Sequence, residues 1–450
     1  MKVPKAPPSV DQVISPLGRI GVTDKLMSFY AVGPTDREGR YLHWDDLRHR
    51  TPPAPLTPEE HWAATKLARM RQYRPLPFLT KAGQAMNFML TDQMMRLLHW
   101  IDSHGTAWIT SQQQLLSPST ARTYKVSSLI EEAFNSSKLE GAVTTRDAAR
   151  RMIREGRTPR NEGEQMVLNN YHAMEYVRER TEAALTADMV FTLHRIVTEG
   201  TLKEPAEAGR FRTDANDIAV IDSEGEVLHV PPPASELEER VRRWCEWANA
   251  EEDAARFIHP VVKAIILHFM VGYDHPFTDG NGRTARALFY WLMARNRYWL
   301  IGYTSISRSI NKAPKRYGRA YLLSETDECD LTYFILYHLE IIKDAIDDLH
   351  AYVHRKTQEL EEIEEVIEKS NFSQVFNERQ LKLLRHAAKH PGFTYGIEEH
   401  KNSHRIAYET ARKDLLALAE SGLLRKRKSG KAFVFVAPSD LMERIKGTGP

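Results

Sequence analysis

Apolar residues recur at helical spacing over most of this chain, and few short stretches alternate as strands do. The first fifty or so residues depart from that pattern. Pro and Gly are frequent there and apolar groups are short, which predicts an extended or loosely packed arm. A helix opens at Thr57-Pro58-Glu59-Glu60, where threonine at the cap, proline at the first helical position and glutamate at the third make a capping box, and it continues through Trp62 to Tyr73. A second helix is expected from Thr91. From there to about residue 368 nearly every segment reads as helical, except between Phe211 and Pro233. There Ile218-Ala219-Val220-Ile221 and Val227-Leu228-His229-Val230 flank Asp222-Ser223-Glu224-Gly225, two β-rich runs around a glycine-containing turn. Pro231 to Pro233 then end the second strand.

Residues Asp348 to Lys369 read as a long charged helix between domains, with a boundary near residue 370. Beyond it, Asn377 caps a helix through His390, Pro391-Gly392 breaks it, and a helix from Ser403 to Glu420 ends at Ser421-Gly422. Leu423-Leu424-Arg425 and Ala432 to Val436 then enclose Lys428-Ser429-Gly430-Lys431. Helix, helix, hairpin is an order that resembles a winged helix-turn-helix. The expected fold class is mainly α. It comprises an N-terminal arm and helical extension (1–119), a helical core with one β-hairpin (120–346), a linker helix (347–370) and a winged helix-like domain (371–450).

A length of 450 residues with 42% hydrophobic composition suits two or three cores. No stretch approaches the roughly eighteen consecutive apolar residues of a membrane span, and the start MKVPKAPPSV lacks the apolar centre of a signal peptide, so a soluble cytoplasmic protein is expected. Cys245 and Cys329 lie far apart without further ligands at metal spacing, which argues for ordinary buried thiols. Lys and Arg number 62 against 60 Asp and Glu, so overall charge is silent about partners. One local cluster is not silent. From Lys401 to Lys431 nine basic residues face three acids, Glu409, Asp414 and Glu420, a net of plus six. Two readings stand open: a DNA-binding module whose Ser403 helix enters a groove with Arg425 to Lys431 as a basic wing, or a protein-interaction module.

The chemistry concentrates between two apolar helical runs, Val261 to Tyr273 and Ala285 to Ala294. The intervening His275-Pro276-Phe277-Thr278-Asp279-Gly280-Asn281-Gly282-Arg283-Thr284-Ala285-Arg286 is a loop opening into a helix. Gly280 and Gly282 permit close backbone approach, and their amides lie at a helix N-terminus, which makes an anion cradle. Arg283 and Arg286 project from one face beside it and can hold further phosphate oxygens. Asp279 adds one hard oxygen ligand suited to Mg²⁺. His275 can accept a proton from a hydroxyl near pH 7.

This stretch resembles the Fic family signature H-x-F-x-[DE]-G-N-G-R-x-x-R at all eight restricted positions. Phe257-Ile258-His259-Pro260, Ile306-Ser307-Arg308 and Asp330-Leu331-Thr332 also look like family landmarks, so the resemblance spreads over about residues 120 to 345. It implies an all-helical core that binds ATP and Mg²⁺ while a target Ser, Thr or Tyr attacks the α-phosphorus and pyrophosphate leaves. His275 would be the general base, Asp279 the magnesium ligand, and Gly280, Asn281 and Gly282 the cradle for the α- and β-phosphates. Arg283 and Arg286 would hold the outer phosphates. Intact Gly280 and Arg286 favour AMP transfer over the phosphate or phosphocholine transfer of some relatives. The hairpin looks like the family flap, which docks a target protein by strand addition through Ile218, Val220, Val227 and His229, against the plainer reading of a surface hairpin. Self-modification is common in the family, and a homodimer is compatible with it. Two alternatives remain: a DNA-binding regulator whose Fic core senses nucleotide, and an enzyme that removes AMP.

Many Fic proteins carry an inhibitory helix with the pattern [ST]-x-x-x-E-[GN], which Ser136 to Gly141 matches and Thr158 to Gly163 matches too. Helical geometry prefers the first. Val126, Leu129, Ile130, Ala133, Phe134 and Ser137 form one stripe with Glu140 on the same face and Gly141 as the stop. The second contains Pro159 in a polar break, where no regular helix would aim Glu162. In the resembling proteins this glutamate pairs with the last signature arginine, here Arg286, and keeps the γ-phosphate from its productive position. The chain would then belong to the class whose inhibitory helix, with Ser136 and Glu140, precedes the signature.

Overall fold

A computed structural model describes residues 2–15, 23–105, 118–216, 218–222, 224–250, 257–298, 301–302, 304–370, 372–429 and 432–447. The fold is mainly helical, with three small antiparallel sheets among the described residues. Strand β1 (Arg74–Leu79) pairs with β2 (Ala85–Phe88), and β3 (Val220–Ile221) with β4 (Val227–His229). The third sheet joins β5 (Thr394–Gly396), β6 (Arg425–Ser429) and β7 (Ala432–Val436) in the order β5-β7-β6. The chain divides into two compact units, Met1–Asp348 and Leu349–Pro450.

In the first unit the expected loose arm is instead a packed segment. It holds short helices at Val10–Ile14, Thr23–Tyr30 and Trp44–Leu47, and its Phe29, Tyr41, Trp44 and Leu47 are buried. Polar anchors hold them, which is why apolar periodicity does not reveal the docking. Tyr41 donates to Asp330 Oδ2 at 2.5 Å, and fully buried Arg69 donates to the carbonyls of Pro34 and Leu42 and to the Tyr333 hydroxyl. The Arg69 guanidinium also lies 3.7 Å from the centre of the Tyr41 ring. The capping box at Thr57 and Glu60 forms and starts the helix Pro58–Met70. Thr91 caps Asp92–Gly105 by accepting from Met94 N. The β1–β2 hairpin is absent from the sequence expectation because Pro75 and Pro77 interrupt its alternation.

The centre of this unit is a pair of apolar helices, Pro260–Asp274 and Asn281–Arg295, packed on each other and buried over nearly their whole length. Helices Glu162–Glu179 and Ala187–Thr198 pack together, and both also pack against Asn281–Arg295, as does Pro118–Leu139. The last ends at a turn in which Gly141 takes φ +90°, a conformation that favours glycine. Cys245 and Cys329 are free and buried. Among the described residues no helix is long and apolar enough to cross a membrane.

The second unit has its own core, built from Ile363, Ile367, Leu384, Leu415, Leu418, Leu424 and Phe435. The expected linker helix is not a separate element: Thr332–Lys369 is one 38-residue helix, so the sequence boundary at 346 falls inside it. Asn377 caps Glu378–Lys389 in a box with Gln380. The helix expected from Ser403 to Glu420 begins only at Tyr408, while Ser403 and His404 end a separate, unexpected helix, Ile397–His404. Arg405 turns left-handed at φ 51° between them, and because no glycine or proline marks the turn, the sequence pattern runs straight through it. Strand β5 is likewise unexpected, while Leu423 and Leu424 sit in the core just ahead of β6.

Lys66 Nζ lies 2.6 Å from Asp327 Oδ1 with both side chains no more than 3% exposed. Removing the cation leaves a buried carboxylate near Asp330. Lys66→Ala should therefore lower unfolding stability by about 3 kcal/mol or more in urea titration. A loss below about 1 kcal/mol would show that this pair does not anchor the helix Pro58–Met70 to Asp327.

Candidate active site

The helix Pro260–Asp274 ends at His275, which adopts the left-handed conformation (φ 45°, ψ 59°) rarely taken by a residue with a side chain. Surrounding bonds hold it there. Its amide donates to Val271 O at 3.1 Å, and Arg212 Nε donates to its carbonyl at 2.8 Å. The Arg212 amide reaches Pro276 O at 2.9 Å, and its guanidinium also reaches Pro232 O at 2.5 Å. Arg212 is a residue sequence reasoning missed, because it lies outside the signature in an irregular stretch. Behind the turn, fully buried Asp274 accepts from Trp244 Nε1 at 2.8 Å and from Arg240 at 3.1 Å. Burial pushes its carboxyl up to about 6, although Arg240 and Trp244 pull the other way.

The His275 ring places Nδ1 3.3 Å from Gly272 O. A carbonyl only accepts, so Nδ1 carries the proton and Nε2 keeps the lone pair. Burial pushes the imidazole down to about 4, so it is neutral at physiological pH.

The loop beyond His275 is fixed by its own side chains. Asn281 accepts from Phe277 N at 3.0 Å and donates to Phe277 O at 2.8 Å, which closes the loop. That amide is therefore committed to the loop, and any contribution of Asn281 to a phosphate cradle comes from its backbone. His194, also outside the signature, receives Gly209 N on Nδ1 at 2.9 Å and so donates from Nε2 to Asp279 O at 2.9 Å. Its ring stacks on Phe277 at 3.7 Å. Gly280 has φ +79°, and a Cβ there would stand 2.7 Å from the methyl of Thr198, so both conformation and space demand glycine. It precedes Asn281–Arg295 without a side-chain cap, so the first amides of that helix, which have no intrahelical partner, are not satisfied by a cap either.

Asp279 stands at the lip of this cradle, its side chain 54% exposed and 3.3 Å from Arg283. Among the described residues no cluster of three or more His, Cys, Asp or Glu could hold a metal alone. A lone accessible carboxylate beside unpaired helix-start amides fits Mg²⁺, which takes one or two protein carboxylates and fills its remaining positions with anionic oxygens and water. Arg283 departs from expectation. It is fully buried and donates to Val197 O at 2.6 Å, so one nitrogen pins the helix Ala187–Thr198 and is unavailable to a phosphate.

Arg286 is 1% exposed and meets the turn after Pro118–Leu139. It donates from Nε to Ser136 Oγ at 2.7 Å, and from one terminal nitrogen to Ser136 O at 3.0 Å and Glu140 Oε1 at 2.9 Å. Burial works against its charge, and the Glu140 carboxylate together with Tyr317 and Glu132 outweighs it, holding the guanidinium above its ordinary value. A Cβ at Gly282 would overlap the Glu140 carboxylate, which places that carboxylate against the first turn of the cradle helix. Glu162 is elsewhere. It opens the regular helix Glu162–Glu179 under an Asn161 cap, where a break was expected, and it is exposed with no ion pair within 4 Å among the described residues.

In the hairpin, Val227 is 53% exposed, and Ile218 and Val220 are partly buried. His229 turns inward. Its ring nitrogens face Glu325 at 2.6 Å and Tyr273 O at 2.7 Å, so this side chain is committed to the fold and not to a docking surface.

Residues 184–293 match the family described as the Fic/DOC family. A protein adenylyltransferase Fic from Nematostella vectensis is 28% identical over 203 residues, covering 43% of this chain and 43% of that protein. Its counterpart from Drosophila virilis is 30% identical over 187 residues, covering 40% of this chain and 36% of that protein. The chain thus spans less than half the length of these curated relatives. A crystal structure of a Fic family protein from Desulfovibrio desulfuricans G20 superposes with a TM-score of 0.51 at 19% identity over 78% of this chain and 97% of that one, which shows a shared fold. Residues 184–293, with the hairpin, His275 and the cradle through Arg286, are accordingly a Fic domain of the Fic/DOC family.

Proposed function

We propose that this chain transfers AMP from ATP to a Ser, Thr or Tyr hydroxyl of a protein, including itself, and that Glu140 restrains the reaction. One observation carries the reading: a neutral, partly buried imidazole with its lone pair on Nε2 adjoins an uncapped helix start whose buried arginine is occupied by an internal carboxylate.

In this reading the unpaired amides at Asn281 and Gly282 hold the α- and β-phosphates. Arg286, once released from Glu140, holds the γ-phosphate, and the Arg283 nitrogen beside Asp279 assists. Asp279 would hold Mg²⁺, which when bound offsets phosphate charge and supports the leaving pyrophosphate. The target hydroxyl oxygen forms a bond to the α-phosphorus while its proton passes to His275 Nε2. The bond between the α-phosphorus and its bridging oxygen breaks, and pyrophosphate departs with the electron pair. The open edges of the β3–β4 hairpin, with Ile221 and Val227 exposed, suit strand addition by a target backbone. A cytoplasmic setting suits the unbridged Cys245 and Cys329. The C-terminal unit is read as winged helix-like from its order of helix, strand, two helices and hairpin.

Intact-mass measurement after incubation with Mg²⁺ and ATP tests transfer and brake together. Glu140→Gly should accumulate AMP on the chain at least about tenfold faster than the parent, because freeing Arg286 for phosphate needs only about 1.4 kcal/mol for each factor of ten. Glu162→Gly should change little. Adding His275→Ala to Glu140→Gly should abolish the adduct and leave ATP binding. A folded Glu140→Gly protein no faster than its parent would rule out the brake, and full transfer without His275 would rule out the base.

The His275 site also predicts a pH response. With the folded-state value lowered to about 4, the ring takes up a proton only as pH falls through that region and stays neutral from pH 8 to 5.5. Its NMR ring signals in the ligand-free protein should be flat over that range. An inflection near 6.5 would contradict the desolvated, neutral base.

A further inference from the structure

The second unit carries a charged surface that AMP transfer leaves unused. We propose that it docks on double-stranded DNA, with the helix Tyr408–Glu420 lying in a groove and strand β6 against the adjoining phosphates. The proposal rests on the winged helix-like reading of this unit and not on AMP transfer.

The surface is set by a buried carboxylate. Asp414 accepts from Arg379 at 2.9 and 3.2 Å, from Asn377 Nδ2 at 2.9 Å and from His400 Nε2 at 3.2 Å. These bonds tie the cap of Glu378–Lys389 and the helix Ile397–His404 to Tyr408–Glu420. With Asp414, Ala411, Leu415 and Leu418 buried, the opposite face of that helix presents Tyr408, Glu409, Arg412 and Lys413. The turn before it is three residues long and exposes Arg405.

Among the described residues strand β6 pairs only with β7, so it is an edge, and Arg425, Lys426, Arg427 and Lys428 are all exposed on it. Phe433, 49% exposed, stands opposite Lys428, and Lys426 Nζ lies 4.2 Å from its ring centre. Several cations are already paired: Lys401 with Glu398, Arg412 with Glu409, Arg425 with Asp440. Arg405, Lys413, Arg427 and Lys428 have no carboxylate within 4 Å among the described residues. The whole chain carries only +2, so the charge is local to this surface and not a general property.

Charge on an edge strand alone would do no more than discourage strand pairing. Here free cations also occupy the turn and outer face of the adjacent helix, which an edge guard does not require. A protein partner would need an apolar centre, whereas Tyr408 and Phe433 are the only large apolar side chains exposed on this helix and hairpin among the described residues. A helix of about 10–12 Å diameter matches the width of the DNA major groove, about 12 Å, and A-form RNA offers no such groove.

Fluorescence anisotropy of the full chain with a labelled 30-bp duplex between 50 and 200 mM salt tests this. Affinity should fall with salt, with a logarithmic slope near −0.9 for each phosphate contacted. The double variant Arg427→Glu/Lys428→Glu, and separately Lys413→Glu, should weaken binding by at least about tenfold at 100 mM salt, and the double variant should flatten the slope by one to two. Arg37→Glu/Arg50→Glu, with the same charge change on exposed residues of the first unit, should bind as the parent does. Absence of binding at 50 mM salt, equal affinity after charge reversal, or tighter binding of a single-stranded RNA of the same length would each overturn the assignment. AMP transfer measured on the same samples keeps the two readings apart, because loss of one activity need not touch the other.

Discussion

A fully buried guanidinium must have a counter-charge, and in this protein that requirement organises the site. Arg286 sits on the second of the paired central helices, where water cannot solvate it, and an uncompensated buried charge costs several kcal/mol. Among the described residues Glu140 is the only carboxylate within 4 Å, and Ser136 supplies the remaining acceptors. The bond joins residues 146 positions apart and ties the end of Pro118–Leu139 to the first turns of Asn281–Arg295. Because Gly282 has no side chain, the Glu140 carboxylate can lie against the cradle helix itself. Any anion that is to use Arg286 there competes with a partner already in place.

The same helix pair positions His275. Pro260–Asp274 delivers His275 at its C-terminus in a left-handed turn, and a residue with a side chain keeps that conformation only when its surroundings enforce it. Arg212 holds the carbonyls around the turn, and Asp274 is fixed by Trp244 and Arg240. These contacts lie outside the chemistry but decide where the imidazole stands. Burial then keeps it neutral, the form able to take a proton.

The signature loop was legible in the sequence because glycines, an amide and charged residues at fixed spacing serve local geometry, which a linear pattern records. Glu140 was legible by its place on a helical stripe, although the competing match at Glu162 follows the same letters. Arg212 and His194 were not legible, since each contributes hydrogen bonds to distant backbone and belongs to no periodic pattern. The docked N-terminal segment escaped for a related reason: Tyr41 and Arg69 hold it through polar contacts, while its apolar residues are few. Proline hid the β1–β2 hairpin, and the left-handed turn at Arg405 hid the break between two helices. The inward turn of His229 and the commitment of one Arg283 nitrogen to Val197 depend on packing that residue identity does not disclose.

If Glu140 acts by occupying Arg286, its effect on nucleotide must pass through that arginine. Titration calorimetry of Mg²⁺-ATP with the parent, Glu140→Gly, Arg286→Ala and the double variant measures this coupling directly. The account predicts that Glu140→Gly tightens or reorders ATP binding only when Arg286 is present, with the gain absent from the Arg286→Ala background. An equal gain in both backgrounds would contradict it, because Glu140 would then obstruct the site without engaging the arginine.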